Sequence, residues 1–216
     1  MATNFFRQST SDTWVVCLVF TTALIGGCGT SNKPILAPKV QNASDQSEEV
    51  RPMVVHPEYA NWSRFPVGAQ VVRYRVVSNE KGKVEVTSTI KLEQKTDRFV
   101  EIVSQVNVKR SGEAPQENPP ERTEFPCEFK LPAGLSEDFF QLPSSKAKMV
   151  GEEELQVHGR SVQAKVYEWT ESNETGPMSV KLWRSDQVPG RIVRQEMLIE
   201  SSQTKTVEEL LEVKWE

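Results

Sequence analysis

From Val71 to the C-terminus the chain alternates apolar and polar residues with a period of two. Successive side chains of a strand point to opposite faces, so this rhythm predicts half-wet β-sheet rather than helix. Within 71–77, Val72, Tyr74 and Val76 are expected on one face and Arg73 and Arg75 on the other. Within 83–92, Val84, Val86, Ile90 and Leu92 oppose Glu85, Thr87, Thr89 and Lys91. Within 99–108, Val100, Ile102, Val106 and Val108 form the expected buried set. With Asn79-Glu80-Lys81-Gly82 as a turn, these runs read as an antiparallel meander with one wet face.

The rhythm breaks at 111–126, where four prolines predict a long loop. A short strand is expected at 127–131, then a short helix capped by Ser136 and carrying Phe139 and Phe140. Alternation resumes at 153–157 and 161–170 around a turn at His158-Gly159-Arg160, and again at 178–184. Val188-Pro189-Gly190-Arg191 suits a type II turn, with Pro presetting φ and Gly supplying a positive φ. Strands at 192–200 and 206–215 complete the pattern. In the last, Val207, Leu211, Val213 and Trp215 are expected opposite Glu208, Glu212 and Lys214. Upstream, Pro57–Trp62 reads as a short helix with proline at its first position. Tyr59, Trp62 and Phe65 are expected to cover one end of the core. The expected fold is mainly β: a single curved, half-barrel-like antiparallel sheet of about eight strands with one or two short helices, spanning 57–216.

Residues 1–27 carry a short polar start and an uncharged run, Trp14 to Ile25, too short to span a bilayer comfortably. The run suits a signal-peptide core. It ends in Ile25-Gly26-Gly27-Cys28, after which the chain turns polar. This stretch resembles the lipobox of bacterial lipoproteins. The resemblance implies cleavage before Cys28 and a diacylglyceryl group on its thiol. Buried methylenes contribute about 0.8 kcal/mol each, and two or more acyl chains hold a protein stably at a membrane. By the same resemblance Gly29, not Asp, favours the outer membrane over the inner. Residues 28–56, rich in Ser, Asn, Gln and Pro, read as a disordered tether to the β domain.

Three cysteines, Cys17, Cys28 and Cys127, leave Cys127 without a partner once the signal is removed and Cys28 is lipidated. In an unlipidated exported chain Cys28 and Cys127 could pair. Phe125-Pro126-Cys127-Glu128-Phe129 reads as a small buried residue among aromatics rather than a nucleophile. His56 and His158 are expected in solvent. Neither lies in a spacing that would hold zinc or build a Ser-His-Asp set. Glu152, Glu153 and Glu154 could supply a carboxylate pair, but a charge run opening a strand is more often solvated. No cofactor or metal site is expected. Asn42, Asn61 and Asn173 each begin an N-x-S/T triplet, which matters only in a eukaryotic secretory pathway. Charges are mixed, with a net charge of -4 and no Lys/Arg cluster, so nucleic acid is not an expected partner. Of the tryptophans in the domain, Trp183 should point away from Val180 and Leu182, and Trp169 should share a face with Lys165 and Tyr167. Both are expected to pack rather than line a ligand mouth.

Three stretches carry a wider resemblance: Trp62-Ser63-Arg64-Phe65-Pro66-Val67-Gly68, Gly151-Glu152-Glu153-Glu154-Leu155-Gln156-Val157-His158-Gly159, and Leu182-Trp183-Arg184-Ser185-Asp186-Gln187-Val188-Pro189-Gly190. Together they resemble uncharacterised exported bacterial lipoproteins of planctomycete type. More distantly they are similar to half-barrel lipoprotein carriers of the LolA/LolB kind. The resemblance implies a curved sheet around an apolar concavity and transfers no functional residue. The expectation is therefore a non-enzymatic, lipid-anchored protein of the bacterial cell envelope, with its domain in the periplasm or outside. Its partners would be the membrane through Cys28 and a hydrophobic ligand, a lipoprotein or an envelope protein. The alternatives are an envelope hydrolase using carboxylates and a secreted, unlipidated binding module.

Overall fold

The computed structural model describes residues 51–132, 134–135, 143–173 and 176–215. The expected lipobox, the part of the expected tether before Arg51 and the expected helix after Ser136 lie outside the described residues. The chain divides into two units, Met1–Ser47 and Glu48–Glu216, and the second contains every described residue.

The elements are β1 (Met53–Val55), α1 (Pro57–Trp62), β2 (Gln70–Asn79), β3 (Gly82–Lys95), β4 (Phe99–Arg110), β5 (Gln116–Glu117), β6 (Glu121–Pro126), β7 (Glu128–Lys130), β8 (Lys148–Val157), β9 (Arg160–Asn173), β10 (Gly176–Arg184), β11 (Ile192–Ile199), a 3-10 turn (Glu200–Ser202) and β12 (Thr204–Lys214). Ten strands form one curved, unclosed antiparallel sheet in the order β5-β4-β3-β2-β12-β11-β10-β9-β8, with β6 also on β4. The fold class expected from alternation is the one observed. β1 and β7 form a separate two-stranded sheet, so ordered structure begins before Pro57.

The proline-rich stretch is not one long loop. β5 pairs with residues 107–108 of β4 and β6 with residues 99–104, so the two cover the same edge in succession. Pro119 and Pro120 fall in the gap between them, and Pro126 closes β6. An edge strand tolerates proline because one row of its backbone groups needs no ladder partner.

The register defines two faces. One runs through Tyr167, Leu182, Gln195, Glu208, Arg75 and Val86. We call it the first face; Val166, Trp183, Arg194, Glu209 and Tyr74 lie on the second. In β2 the first face carries Val71 and Arg73, which are buried, whereas Val72, Tyr74 and Val76 are half-buried. The expected sidedness of this strand is therefore reversed. Arg73 goes inward beneath the connection 185–191, where the Pro189 carbonyl accepts from its Nη2. In β12 the register shifts between Leu210 and Glu212, so a bulge at Leu211 changes the parity midway. Leu210, Val213 and Trp215 pack on the core, while Leu211 is exposed, against expectation.

One apolar cluster joins Trp62, Phe65, Val71, Leu92, Val100 and Val213 to Val162, Ala164, Val166, Trp183 and Val188. By register, the β9 residues and Trp183 lie on the second face and Val71 on the first. The core therefore passes around the strand ends at the 185–191 connection, where Val188 is fully buried. A smaller cluster of Met178, Val180 and Met197, with Trp169 and Ile199 against it, occupies the first face further along.

Candidate functional site

The three stretches quoted for the resemblance meet at one place. Asn61, at the end of α1, is buried, and its amide bridges the 185–191 connection. Its Oδ1 accepts the Gly190 N–H at 2.7 Å, and its Nδ2 donates to the Val188 carbonyl at 3.2 Å. Arg64 Nη1 donates to the Asp186 carbonyl at 3.2 Å, and Arg191 Nη2 donates to the Pro57 carbonyl at 2.6 Å. The second stretch arrives through Glu153, whose Oε2 accepts the Trp183 Nε1–H at 2.7 Å. Lys181 and Arg194 lie over the Trp183 ring, with centroid distances of 5.0 and 5.2 Å.

The turn at 188–191 forms as the sequence predicts, with the Arg191 N–H donating to the Val188 carbonyl at 3.1 Å and Gly190 at φ +69°. Beneath it lies Arg73. Its Nη2 donates to the Pro189 carbonyl at 3.4 Å, and among the described residues its Nε–H has no hydrogen-bond partner. Burial pushes the Arg73 guanidinium down from its ordinary value, opposed by the charges of Glu208 and Glu58. The group stays cationic even so, because the guanidinium starts far above neutral pH. Along the same face Arg75 Nε stands 3.8 Å from Glu208 Oε2, and Gln195 and Thr206 are buried. A polar seam thus crosses β2, β12 and β11 between the two apolar clusters.

A second feature is an open depression of about 620 Å³ lined by residues of β8 to β12. Lys148, Glu168, Lys181 and Glu196 line it from the second face, with Lys146 and Lys205 also on its rim. Lys181 Nζ pairs with Glu168 Oε1 at 3.2 Å, and Glu196 Oε1 pairs with Arg194 Nη2 at 2.6 Å. Exposed pairs of this kind add roughly 0–1 kcal/mol each and leave the surface polar.

The residues singled out by sequence are scattered. Cys28, the expected lipidation site, lies outside the described residues. Among the described residues Cys127 has no disulfide partner, and it is half-buried rather than fully buried. His56 is not in solvent: it is half-buried, its ring 5.0 Å from Phe125 and 5.3 Å from Phe129. It also caps α1, its Nδ1 accepting the Glu58 N–H at 3.1 Å. His158 is exposed at the β8–β9 turn, as expected. Glu152, Glu153 and Glu154 are exposed along β8. Glu153 holds Trp183, and Glu154 accepts from Ser161 and from Gln163, so two of the three are engaged with neighbouring side chains. Among the described residues no three His, Cys, Asp or Glu side chains are grouped to hold a metal. Asn61 and Arg73 were missed as site residues. The first showed only as part of a triplet and the second only as the polar member of an alternation.

The chain matches no protein-family model and no curated protein sequence. Among solved structures it is similar to an exported protein with a YmcC-like fold from Bacteroides fragilis. That match has a TM-score of 0.42 and 12% identity, and covers 69% of this chain and 97% of that one. It is also similar to a protein described as a lipoprotein from Parabacteroides distasonis, with a TM-score of 0.40 and 10% identity over 69% of this chain and 96% of that one. A third is MucB in complex with MucA(peri), with a TM-score of 0.40 and 18% identity over 74% of this chain and 54% of that one.

Proposed function

We propose that this chain is a lipid-anchored lipoprotein of the bacterial cell envelope, with the outer membrane favoured, whose β domain is a non-enzymatic binding module. The observation that carries the reading is the Ile25-Gly26-Gly27-Cys28 lipobox upstream of a curved, unclosed sheet. Cys28 is the lipidated residue. The domain takes a hydrophobic ligand, a lipoprotein or a partner protein on the first face. There the smaller apolar cluster of Met178, Val180 and Met197 lies beside the polar seam.

The test has two arms. Palmitate labelling and globomycin-sensitive processing should be present in the parent chain and lost in Cys28→Ala. Unlabelled, globomycin-insensitive protein would make it a secreted, unlipidated module. Native mass spectrometry of the purified parent should show a lipid or peptide adduct. Its absence, with labelling intact, would leave an anchored scaffold without a ligand.

A further inference from the structure

The sheet is not closed, and β8 is one of its edges. Among the described residues β8 pairs only with β9, so one row of its backbone N–H and C=O groups lacks a ladder partner. Near the start of this edge Met149 is 49% exposed and Val150 53% exposed, at a bulge between Met149 and Gly151. The charges around it are ordered: Lys146 and Lys148 precede the apolar pair, and Glu152, Glu153 and Glu154 follow it.

We infer that β8 is a self-complementary edge, on which a second copy of this chain adds its own β8 antiparallel about Val150–Gly151. In that register Lys148 lies opposite Glu153 of the second copy, and the two-fold axis repeats the pair. Both residues lie on the second face, as their partners Glu168 and Ala164 show, so directly opposed side chains point the same way. Met149 falls opposite Glu152, both on the first face. The bulge and the glutamates also reject other occupants. A parallel copy sets glutamate against glutamate, and a flat apolar strand meets three carboxylates and an irregular ladder. A single strand pair is a small contact. Tethering in a membrane plane would raise its occupancy through effective concentration, but the pairing does not depend on the lipid.

The test uses full-length protein in detergent, mixed from unlabelled and nitrogen-15-labelled preparations and treated with a zero-length carbodiimide cross-linker. The expected product is an isopeptide between Lys148 and Glu153 carrying one label of each kind. Lys148→Glu should abolish it and lower the cross-linked dimer at least several-fold. Adding Glu153→Lys to Lys148→Glu should restore the dimer, because the charges are exchanged. Same-label links only, a mixed-label dimer joined elsewhere, or a dimer insensitive to Lys148→Glu would each overturn the inference. Lys148 is exposed, so Lys148→Glu should fold, and circular dichroism matching the parent confirms that loss of the dimer is not unfolding.

Discussion

Asn61 and Gly190 are joined by a 2.7 Å hydrogen bond across 129 residues of chain, and the same Asn61 amide holds Val188. The pair fastens α1 to the turn that caps the core.

Removing that clasp should be costly. Asn61→Ala leaves the part-buried Gly190 N–H without its acceptor, whereas the Val188 C=O keeps the Arg191 N–H, at about 1–3 kcal/mol for a buried group left unsatisfied. The expected outcome is a loss of about 1–3 kcal/mol, read as a lower urea midpoint with an unchanged slope. A midpoint equal to the parent's would show that water replaces the amide freely.

Gly190 has two reasons to resist substitution. Its φ of +69° favours glycine, and an added Cβ would lie 2.7 Å from Arg73 Nη2. Gly190→Ala should destabilise by about 1–3 kcal/mol from the left-handed backbone alone. Gly134 serves as the control, with a φ of +80° and nothing within 4 Å of an added Cβ. Thermal melts of the two alanine variants should differ by the Arg73 clash.

Trp183 separates packing from polarity. Trp183→Phe keeps an aromatic ring but removes the donor to Glu153, and should cost about 1–2 kcal/mol, the scale of a hydrogen bond to a charged acceptor on a partly wet edge. Trp183→Ala should cost about 3–5 kcal/mol, since the ring is 6% exposed within the main cluster. Equal losses in chemical denaturation would place the energy in the hydrogen bond instead.

His56 predicts an acid sensitivity. Burial, with the charge of Arg191 in support and that of Glu58 opposed, holds its imidazole below the ordinary 6.5. The unfolded chain therefore takes up the proton first. The stability that neutral His56 contributes is present above about pH 6.5 and is lost as pH falls toward the lowered folded value. The melting temperature should drop between pH 7.5 and 5.5, and His56→Asn, which keeps a capping side chain, should flatten that slope.

Strand positions were legible because alternation is local: β2, β3, β4, β9, β10, β11 and β12 all appear where the period of two runs. α1 was legible from Pro57 at its first position. β5 and β6 were hidden by prolines, which block a central strand but not an edge one. The candidate site was legible only in part. The three stretches that meet there were visible, but Arg73 looked like a solvent residue because alternation assigns relative faces and not which face is covered. The Leu211 bulge was invisible for a similar reason: it is a mismatch between two strands, not a property of one.

The amino-acid order by itself determined the β character of the domain, since strand periodicity is written in neighbouring residues, and it alone carries the resemblance of Ile25-Gly26-Gly27-Cys28 to a lipobox. Only the tertiary structure decided which side of β2 is inside, that Asn61 and Arg73 lie beneath the 188–191 turn, and that, among the described residues, one row of β8 backbone groups is unladdered. The first two outcomes depend on contacts between segments more than a hundred residues apart, where burial is set by what packs on top and not by what comes next in the chain.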